Sequence, residues 1–314
     1  MFETAPYFSD LATWSDNGSA VWIKTPDGIR LRVSQWPASA SKGTVFILPG
    51  RTEYCEKYAN VARLLNDHDL GVLAIDWRGQ GLADRFGRTP MVGHVEKFAD
   101  YQTDIDAIID YATTADLPKP WFMLAHSMGG AIGLRTLLRR SEFSAVGFSG
   151  PMWGIYLSPH LRPITKPLSR LLRSTPLKDN FAASTQHGPI VFENAFDDNK
   201  LTRSKTEWDV MKTHLERYPA LQLGGPSYQW LYESLRECDA LAKLAAPNVP
   251  CLCLLGDNER IVDTKRIHDR MTAWPNGTLR MVRRGEHETL MEDPEVTDAL
   301  VAELVTHFLS STDS

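Results

Sequence analysis

Ser127 lies at a predicted sharp turn between a strand and a helix. The apolar run from Trp121 ends at Ala125-His126 and indicates a buried strand, and apolar residues recur at helical spacing from Ala131. A serine in such an elbow projects its hydroxyl beyond the strand, next to free N–H groups at the helix start. The sequence reads A-x-S-x-G where the usual elbow reads G-x-S-x-G, and alanine adds only a methyl group. We therefore predict a nucleophile here rather than a simple helix cap.

A serine hydroxyl is a weak nucleophile at neutral pH and needs a base beside it, for which histidine is suited. Of the 9 histidines, His287 follows the last predicted strand, at the same sheet edge as Ser127. His287 is therefore the expected base. His126 adjoins the serine, but neighbours on a tight turn point apart, so we expect it to support the turn.

The imidazole in turn needs a carboxylate that holds its tautomer and stabilises its charged form. Three acids follow the predicted strand Cys251–Leu255, in the segment that ends at residue 263. Glu259 is the first choice, Asp257 the second and Asp263 the third. The two acids that do not serve are expected to cap loops or turns. The chain order serine, acid, histidine is typical of this kind of elbow.

Negative charge that develops on the substrate oxygen requires hydrogen-bond donors already in place. The predicted donors are the backbone N–H of Met128, directly after the nucleophile, and that of Arg51, in the loop after a buried strand. The side chains of Arg51 and Glu53 are expected to form a salt bridge that fixes this loop. Residues 79–81 lack the rest of a dinucleotide-binding fingerprint and indicate a turn.

The predicted elements alternate between strands and helices on both sides of one long interruption. Alternation indicates an α/β protein with a mostly parallel twisted sheet and helices on both faces. Between residues 151 and 237 the alternation stops, and aromatic residues, prolines and helical fragments take over. We predict a core domain of residues 1–150 and 238–314, with 151–237 inserted as a helical cap over the carboxyl edge of the sheet.

The amino-acid composition is typical of a globular protein and argues against some classes of partner. The 314 residues are 43% apolar with a formal net charge of −5, which permits a large core and argues against a nucleic-acid partner. The 4 cysteines show no metal-ligand spacing and are expected in the core. Neither a metal nor an organic cofactor is expected. Because neither a signal peptide nor a membrane-spanning segment is recognisable, the sequence predicts a cytoplasmic protein. Peripheral contact with the inner face of the membrane remains an open alternative. The sequence does not specify an oligomeric state.

Five motifs, in order along nearly the whole chain, resemble those of α/β-hydrolases of the lysophospholipase and monoacylglycerol lipase family. They are Leu48–Tyr58, Asp76–Gly81, Ala125–Gly130, Gly256–Asp263 and Gly285–His287. The resemblance implies Ser127 as nucleophile, His287 as base and the N–H groups of Arg51 and Met128 as oxyanion donors. It places the acid at Glu259, where many relatives have Asp.

Two positions depart from that pattern. Ala125 replaces the first elbow glycine, and Pro49 stands where monoacylglycerol lipases have histidine. The segments 49–53 and 223–230 are more similar to the bacterial lysophospholipases.

The predicted cap is rich in aromatic residues, which suits a roof over an acyl chain. Trp153, Tyr156 and Trp230 are the candidates for substrate contact. A basic amphipathic stretch over 161–173 could lie on an anionic membrane, although Pro163 and Pro167 favour a short lid element that packs on the protein.

The resemblance implies a serine hydrolase that cleaves carboxylic esters of single-chain lipids through an acyl-serine intermediate. Its substrate would be a small amphiphilic ester such as a lysophospholipid or a monoacylglycerol. An acyltransferase with the same triad and a general carboxylesterase are the alternatives. A non-catalytic binding protein of this fold is the least expected, because all three triad residues are present.

Overall fold

The computed structural model describes residues 2–12, 17–158, 160, 162–183 and 185–311. Their strands form one sheet in the order β1-β2-β3-β5-β4-β6-β7-β8-β9. The first three strands and the β3–β5 pair are antiparallel, and every pair from β5 to β9 is parallel. The strands are β1 Glu3–Thr4, β2 Ser19–Lys24, β3 Arg30–Trp36, β4 Thr44–Leu48, β5 Gly71–Asp76, β6 Trp121–His126, β7 Phe143–Ser149, β8 Cys251–Gly256 and β9 Gly277–Val282.

Helices cover both faces of this sheet. They are α1 Ala59–Asn66, α2 Asp100–Thr114, α3 Met128–Leu137, α4 Arg162–Leu172, α5 Ile190–Glu193, α6 Lys205–Arg217, α7 Tyr228–Leu241, α8 Thr264–Thr272 and α9 Pro294–Ser310. Because successive strand residues point to opposite faces, Val45 and Ile47 of β4 pack with α1 and α9, whereas Phe46 and Leu48 pack with α2 and α3. This arrangement confirms the predicted fold class.

The segment between β7 and β8 contains no strand in its described residues, only isolated bridges. Helices α4 to α7 fill it, and a small apolar cluster that includes Trp208 and Leu215 joins it to Leu11 and Tyr54 of the core. The predicted boundary after residue 237 falls inside α7, and Cys238 and Leu241 of this helix belong to the main core. Since a helix is a continuous rigid unit, we propose that the insertion ends after Leu241.

Candidate active site

Ser127 occupies the single residue between β6 and α3. Its backbone angles are φ 48° and ψ −116°, a conformation that costs about 1–3 kcal/mol for a residue other than glycine. Three backbone hydrogen bonds hold it there: its N–H donates to Ser149 O, and its carbonyl accepts from Gly130 and Met152. Its side chain makes no cap hydrogen bond to α3. The hydroxyl is therefore free of the helix-cap role.

Small residues allow this turn to lie close to the neighbouring strand. A Cβ atom at Gly129 would lie 2.0 Å from the carbonyl oxygen of Leu48, which is backbone of β4. A Cβ atom at Gly133 would lie 3.2 Å from the Cβ of Ala125. The extra methyl group of Ala125 is therefore accommodated because the facing position on α3 is glycine.

A continuous hydrogen-bonded path joins Ser127, His287 and Glu259. The serine Oγ lies 2.9 Å from His287 Nε2, and His287 Nδ1 lies 2.7 Å from Glu259 Oε2. The other carboxylate oxygen accepts the N–H groups of Ile261 at 2.6 Å and Val262 at 3.1 Å. With Nδ1–H donating to the carboxylate, the Nε2 lone pair faces the serine hydroxyl.

The charges of this path support one another. Burial of the His287 ring disfavours its charged form, but the charge of Glu259 and its hydrogen bond outweigh this and raise the pKa of His287 above 6.5. Burial alone would raise the pKa of Glu259, yet the pairing with His287 and the two backbone donors lower it below 4.5. Glu259 is therefore ionised at neutral pH and stabilises an imidazolium at His287.

The other two candidate acids lie apart from the imidazole. Asp257 is exposed, and Asp263 takes the N-cap position of α8 beside Arg266. Among the described residues, only Glu259 of these three acids bonds to His287.

The loop between β4 and α1 is held through its carbonyl groups. The Gln80 side-chain amide donates to the carbonyls of Gly50 and Glu53, and Trp77 Nε1 donates to that of Pro49. Gly79 has φ +85° in the expected turn. Residues 79–81, which the sequence predicts to be only a turn, thus also support the loop that carries Arg51.

Two backbone N–H groups remain open at this corner. In the described part of the chain, no protein acceptor takes the N–H of Arg51 or that of Met128. Met128 directly follows Ser127, and Arg51 follows Gly50, where a Cβ atom would lie 3.1 Å from the Cβ of Ser127. The N-terminus of α3 adds partial positive charge. These donors are free for a substrate oxygen.

The expected salt bridge between Arg51 and Glu53 is wrong. Glu53 turns inward, pairs with Lys57 at 2.6 Å and accepts a hydrogen bond from Tyr58. The Arg51 guanidinium instead donates to Gly224 O of the insertion at 2.7 Å.

One group of potential metal ligands lies beside the serine. In the residues that the structure describes, Glu53, His126 and Glu288 have ligand atoms within 4.8 Å of one another. The Lys57 ammonium bonds to both carboxylates, so it already supplies the positive charge that a metal would bring. Burial would raise the pKa of Glu53, but the charges of Lys57 and His126 lower it to about 2. This cluster is a buried ion network rather than a metal site.

His126 supports the turn, as expected. Its Nδ1–H donates to Ser149 O at 2.9 Å, and burial lowers the pKa of its ring.

A cavity of about 280 Å³ opens at the serine hydroxyl. Its walls come from the oxyanion loop, the elbow, the histidine loop and the insertion: Gly50, Arg51, Thr52, Glu53, His126, Ser127, Gln186, Gly188, Ile190, Lys200, Leu201, Leu223, Gly224, Gly225, Ile261, His287 and Glu288. The motif at 223–230 contributes some of these residues. Lys200 and Gln186 belong to no sequence pattern from which a position at the cavity could have been predicted.

The three aromatic candidates of the cap are not among the lining residues. Trp153 packs on Phe148 and Trp274 in the core, and the Trp230 Nε1–H donates to Tyr101. Tyr156 is 57% exposed. Large rings that adjoin a core are stabilised most by packing into it, so the wall of the cavity is left to smaller side chains and backbone.

The sheet order, the helices on both faces and the serine at the strand–helix turn define an α/β-hydrolase. The chain belongs to the hydrolase family described as serine aminopeptidase, S33, whose profile matches residues 39–294. It is therefore an enzyme of the hydrolase class.

Individual relatives cover most of the chain. Lysophospholipase L2 of Escherichia coli is 30% identical over 295 residues, which are 90% of this chain and 85% of that protein. Monoglyceride lipase of Rattus norvegicus is 27% identical over 289 residues, 89% of this chain and 87% of that protein. A soluble variant of monoglyceride lipase from Saccharomyces cerevisiae matches with a TM-score of 0.72 and 19% identity, covering 92% of this chain and 94% of that one. In the described residues, no helix combines the length and apolar character needed to cross a bilayer.

Proposed function

We propose that this protein hydrolyses carboxylic esters of single-chain lipids, such as lysophospholipids or monoacylglycerols, with Ser127 as nucleophile. The observation that carries the proposal is the unbroken path from the Ser127 hydroxyl through His287 to Glu259 at the wall of a cavity. The substrate class is carried over from the relatives, a lysophospholipase and a monoglyceride lipase.

The geometry suits acyl transfer in two halves. His287 Nε2 takes the hydroxyl proton as Ser127 Oγ attacks the ester carbon, and the N–H groups of Arg51 and Met128 stabilise the oxyanion. His287 returns the proton to the departing alcohol, which leaves an acyl-serine. Water then loses a proton to His287 and attacks the acyl carbon, so that the fatty acid departs and the serine hydroxyl is restored.

The cavity offers an apolar side for an acyl chain. Ile190, Leu201 and Leu223 line it and also line a smaller adjoining pocket of about 30 Å³. Met211 and Leu215 of α6 close that pocket. The chain of a single-chain lipid would bury apolar surface there.

We further propose that the enzyme is cytoplasmic and meets its substrate at a lipid surface through α4. The cysteines of the described chain are all free, which suits a reducing compartment. On α4, Ile164 and Leu171 are 58% and 66% exposed, and Arg170 is exposed beside them. Leu161, at the start of the basic amphipathic stretch, lies outside the described residues.

Replacing the nucleophile tests the assignment. Ser127→Ala should reduce fatty acid release from lysophosphatidylcholine and from a monoacylglycerol of the same chain length roughly 10⁴-fold or more. It should also abolish labelling by an active-serine phosphonate, with an unchanged circular dichroism spectrum. The exposed Ser141→Ala is the matched control and should behave as wild type. Undiminished turnover in Ser127→Ala would remove the proposal, and ester products formed with an added alcohol would favour an acyltransferase.

A further inference from the structure

The guanidinium of Arg51 lies at the cavity with most of its donors unused. A guanidinium carries five N–H donors, yet within the described residues the Arg51 side chain makes one hydrogen bond, to Gly224 O. Its carbon lies 5.6 Å from the centre of the Trp230 ring. In the described part of the chain no carboxylate pairs with it. Its remaining nitrogens are not among the described side-chain atoms that are fully buried without a partner, and residue 51 lines the cavity.

Two other arginines of the chain have more of their donors engaged. Arg85 directs five hydrogen bonds to backbone carbonyls, including those of Ala220 and Gln222. Arg32 pairs with two buried carboxylates, Glu56 and Asp76. Arg51 is unlike these structural arginines, because holding the loop requires only a fraction of its donors.

Neither of the two carboxylates that line the cavity pairs with Arg51. Glu53 and Glu288 are both paired with Lys57, which lies between them. Lys200 lines the same cavity, is exposed, and forms no ion pair with any described residue. Burial lowers the pKa of Arg51 to about 10, still well above neutral pH, so its side chain is cationic there.

A cation without a carboxylate partner in a partly desolvated cavity is costly unless an anion binds to it. A guanidinium matches a phosphate through two parallel hydrogen bonds, and an ammonium adds a point charge. The backbone N–H of Arg51 faces the reacting oxygen in the proposed mechanism. Its side chain therefore starts beside the position of the scissile ester, and the phosphate of a lysophospholipid is only a few covalent bonds from that ester.

We propose that Arg51 and Lys200 form an anion subsite that binds the phosphate of a lysophospholipid head group. The inference rests on the proposed function and deepens it: the enzyme should prefer lysophospholipids over monoacylglycerols, which have no anion.

The test compares two substrates with the same acyl chain, lysophosphatidylcholine and monoacylglycerol, in the full-length protein. Arg51→Met and Lys200→Met should each reduce kcat/KM for the lysophospholipid about 10- to 100-fold, mainly through KM. The value for the monoacylglycerol should fall less than that for the lysophospholipid, so the readout is the ratio of the two values in each variant. The exposed Lys243→Met, which is not at the cavity, is the matched control and should leave both values unchanged.

Inhibition gives a second measurement and identifies the source of the anion. Glycerophosphocholine should compete with monoacylglycerol in the wild type and lose potency in both variants. Stronger competition by inorganic phosphate than by glycerophosphocholine would point to free phosphate and overturn the head-group proposal.

Two further outcomes separate this inference from the function it builds on. Equal losses on both substrates, or no loss on either, would overturn the subsite while leaving the hydrolase intact. A wild-type protein that releases no fatty acid and takes up no phosphonate would instead contradict the proposed function. Lys200→Met keeps the test decisive if Arg51→Met fails to fold, because the Lys200 side chain is exposed.

Discussion

Glu259 has both carboxylate oxygens engaged, and this fixes which of them faces the imidazole. Oε1 accepts two backbone N–H groups of its own loop, from Ile261 and Val262, so Oε2 alone points at His287. The carboxylate is fully buried. Its orientation therefore does not depend on the histidine, and the histidine is held by a partner that is already in place.

Removing the charge at residue 259 should separate the roles of the acids. Glu259→Gln should reduce kcat roughly 10³- to 10⁴-fold, because the imidazolium loses its stabilising charge. Catalysis requires neutral His287, so wild-type kcat/KM should fall as the pH drops through its raised pKa. Without the carboxylate that pKa decreases, and the acid limb of the residual activity should move to lower pH. A pH profile of kcat/KM measures both effects.

Asp257→Asn is the matched control, since the same charge is removed from an exposed residue of the same loop. It should leave kcat and the acid limb unchanged. Loss of activity in this variant, with Glu259→Gln active, would exchange the two assignments.

At the scale of single residues, the sequence predicts a hydrogen-bond partner that is near in the chain but not one that is distant in the chain. The choice among three acids could not be made from strand order alone, because all three follow β8. In the structure the local turn, in which Glu259 accepts the N–H groups of Ile261 and Val262, directs its carboxylate toward His287. The partner of Arg51 was mispredicted because Gly224 lies far away in sequence, whereas Glu53 is two residues off.

The elbow is the element on which the proposed chemistry depends, and one glycine allows its close packing. Gly129→Ala should place a methyl group against the carbonyl of Leu48, which as backbone of a central strand cannot move aside. We expect a loss of stability of about 1–3 kcal/mol, as for overpacking in a core, and a larger relative loss of activity as Ser127 shifts. Thermal unfolding and phosphonate labelling measure the two effects.

Gly71→Ala provides the control for that substitution. Gly71 is also buried and begins β5, but a Cβ atom there would meet its nearest neighbour at 3.5 Å, an ordinary contact. It should retain stability and labelling. Equal tolerance at both glycines would show that the elbow is looser than its geometry implies.

The parallel strands and most core helices could be predicted because their apolar patterns reflect burial directly. Helical spacing of apolar residues starts at about Val95 and would predict a helix from there, but α2 begins at Asp100, because Val95 and Phe98 are buried within the preceding loop. The end of the insertion was placed inside α7 because that helix serves both units. Its residues Trp230 and Leu241 pack in the main core.

At the scale of the whole molecule, several contacts between the insertion and the core use backbone groups of the insertion. Arg85 reaches two carbonyls near α6, Gly93 N–H donates to Gly225 O, and His287 N–H donates to Lys200 O. Backbone contacts of this kind leave no signature in residue types. The sequence could therefore predict a cap over the serine, but not which of its residues would form the wall.

The outer side of the same insertion leads to a prediction about where the enzyme works. Lys166 pairs with Asp239 and Arg173 with Glu233, so α4 is tied to α7 through one side and turns Ile164, Leu168 and Leu171 outward. Burying one leucine in lipid contributes roughly 1.5–3 kcal/mol, so Leu171→Ser should weaken binding to vesicles about tenfold or more. Cosedimentation with phosphatidylglycerol vesicles should show this, with weaker binding at high salt because Arg170 contributes charge.

Met281→Ser, which removes a 38% exposed side chain from β9, is the control and should bind as wild type. Hydrolysis of a short, fully dissolved ester should be unchanged in Leu171→Ser, because the cavity is not altered. Equal vesicle binding by both variants would mean that α4 does not meet the lipid surface.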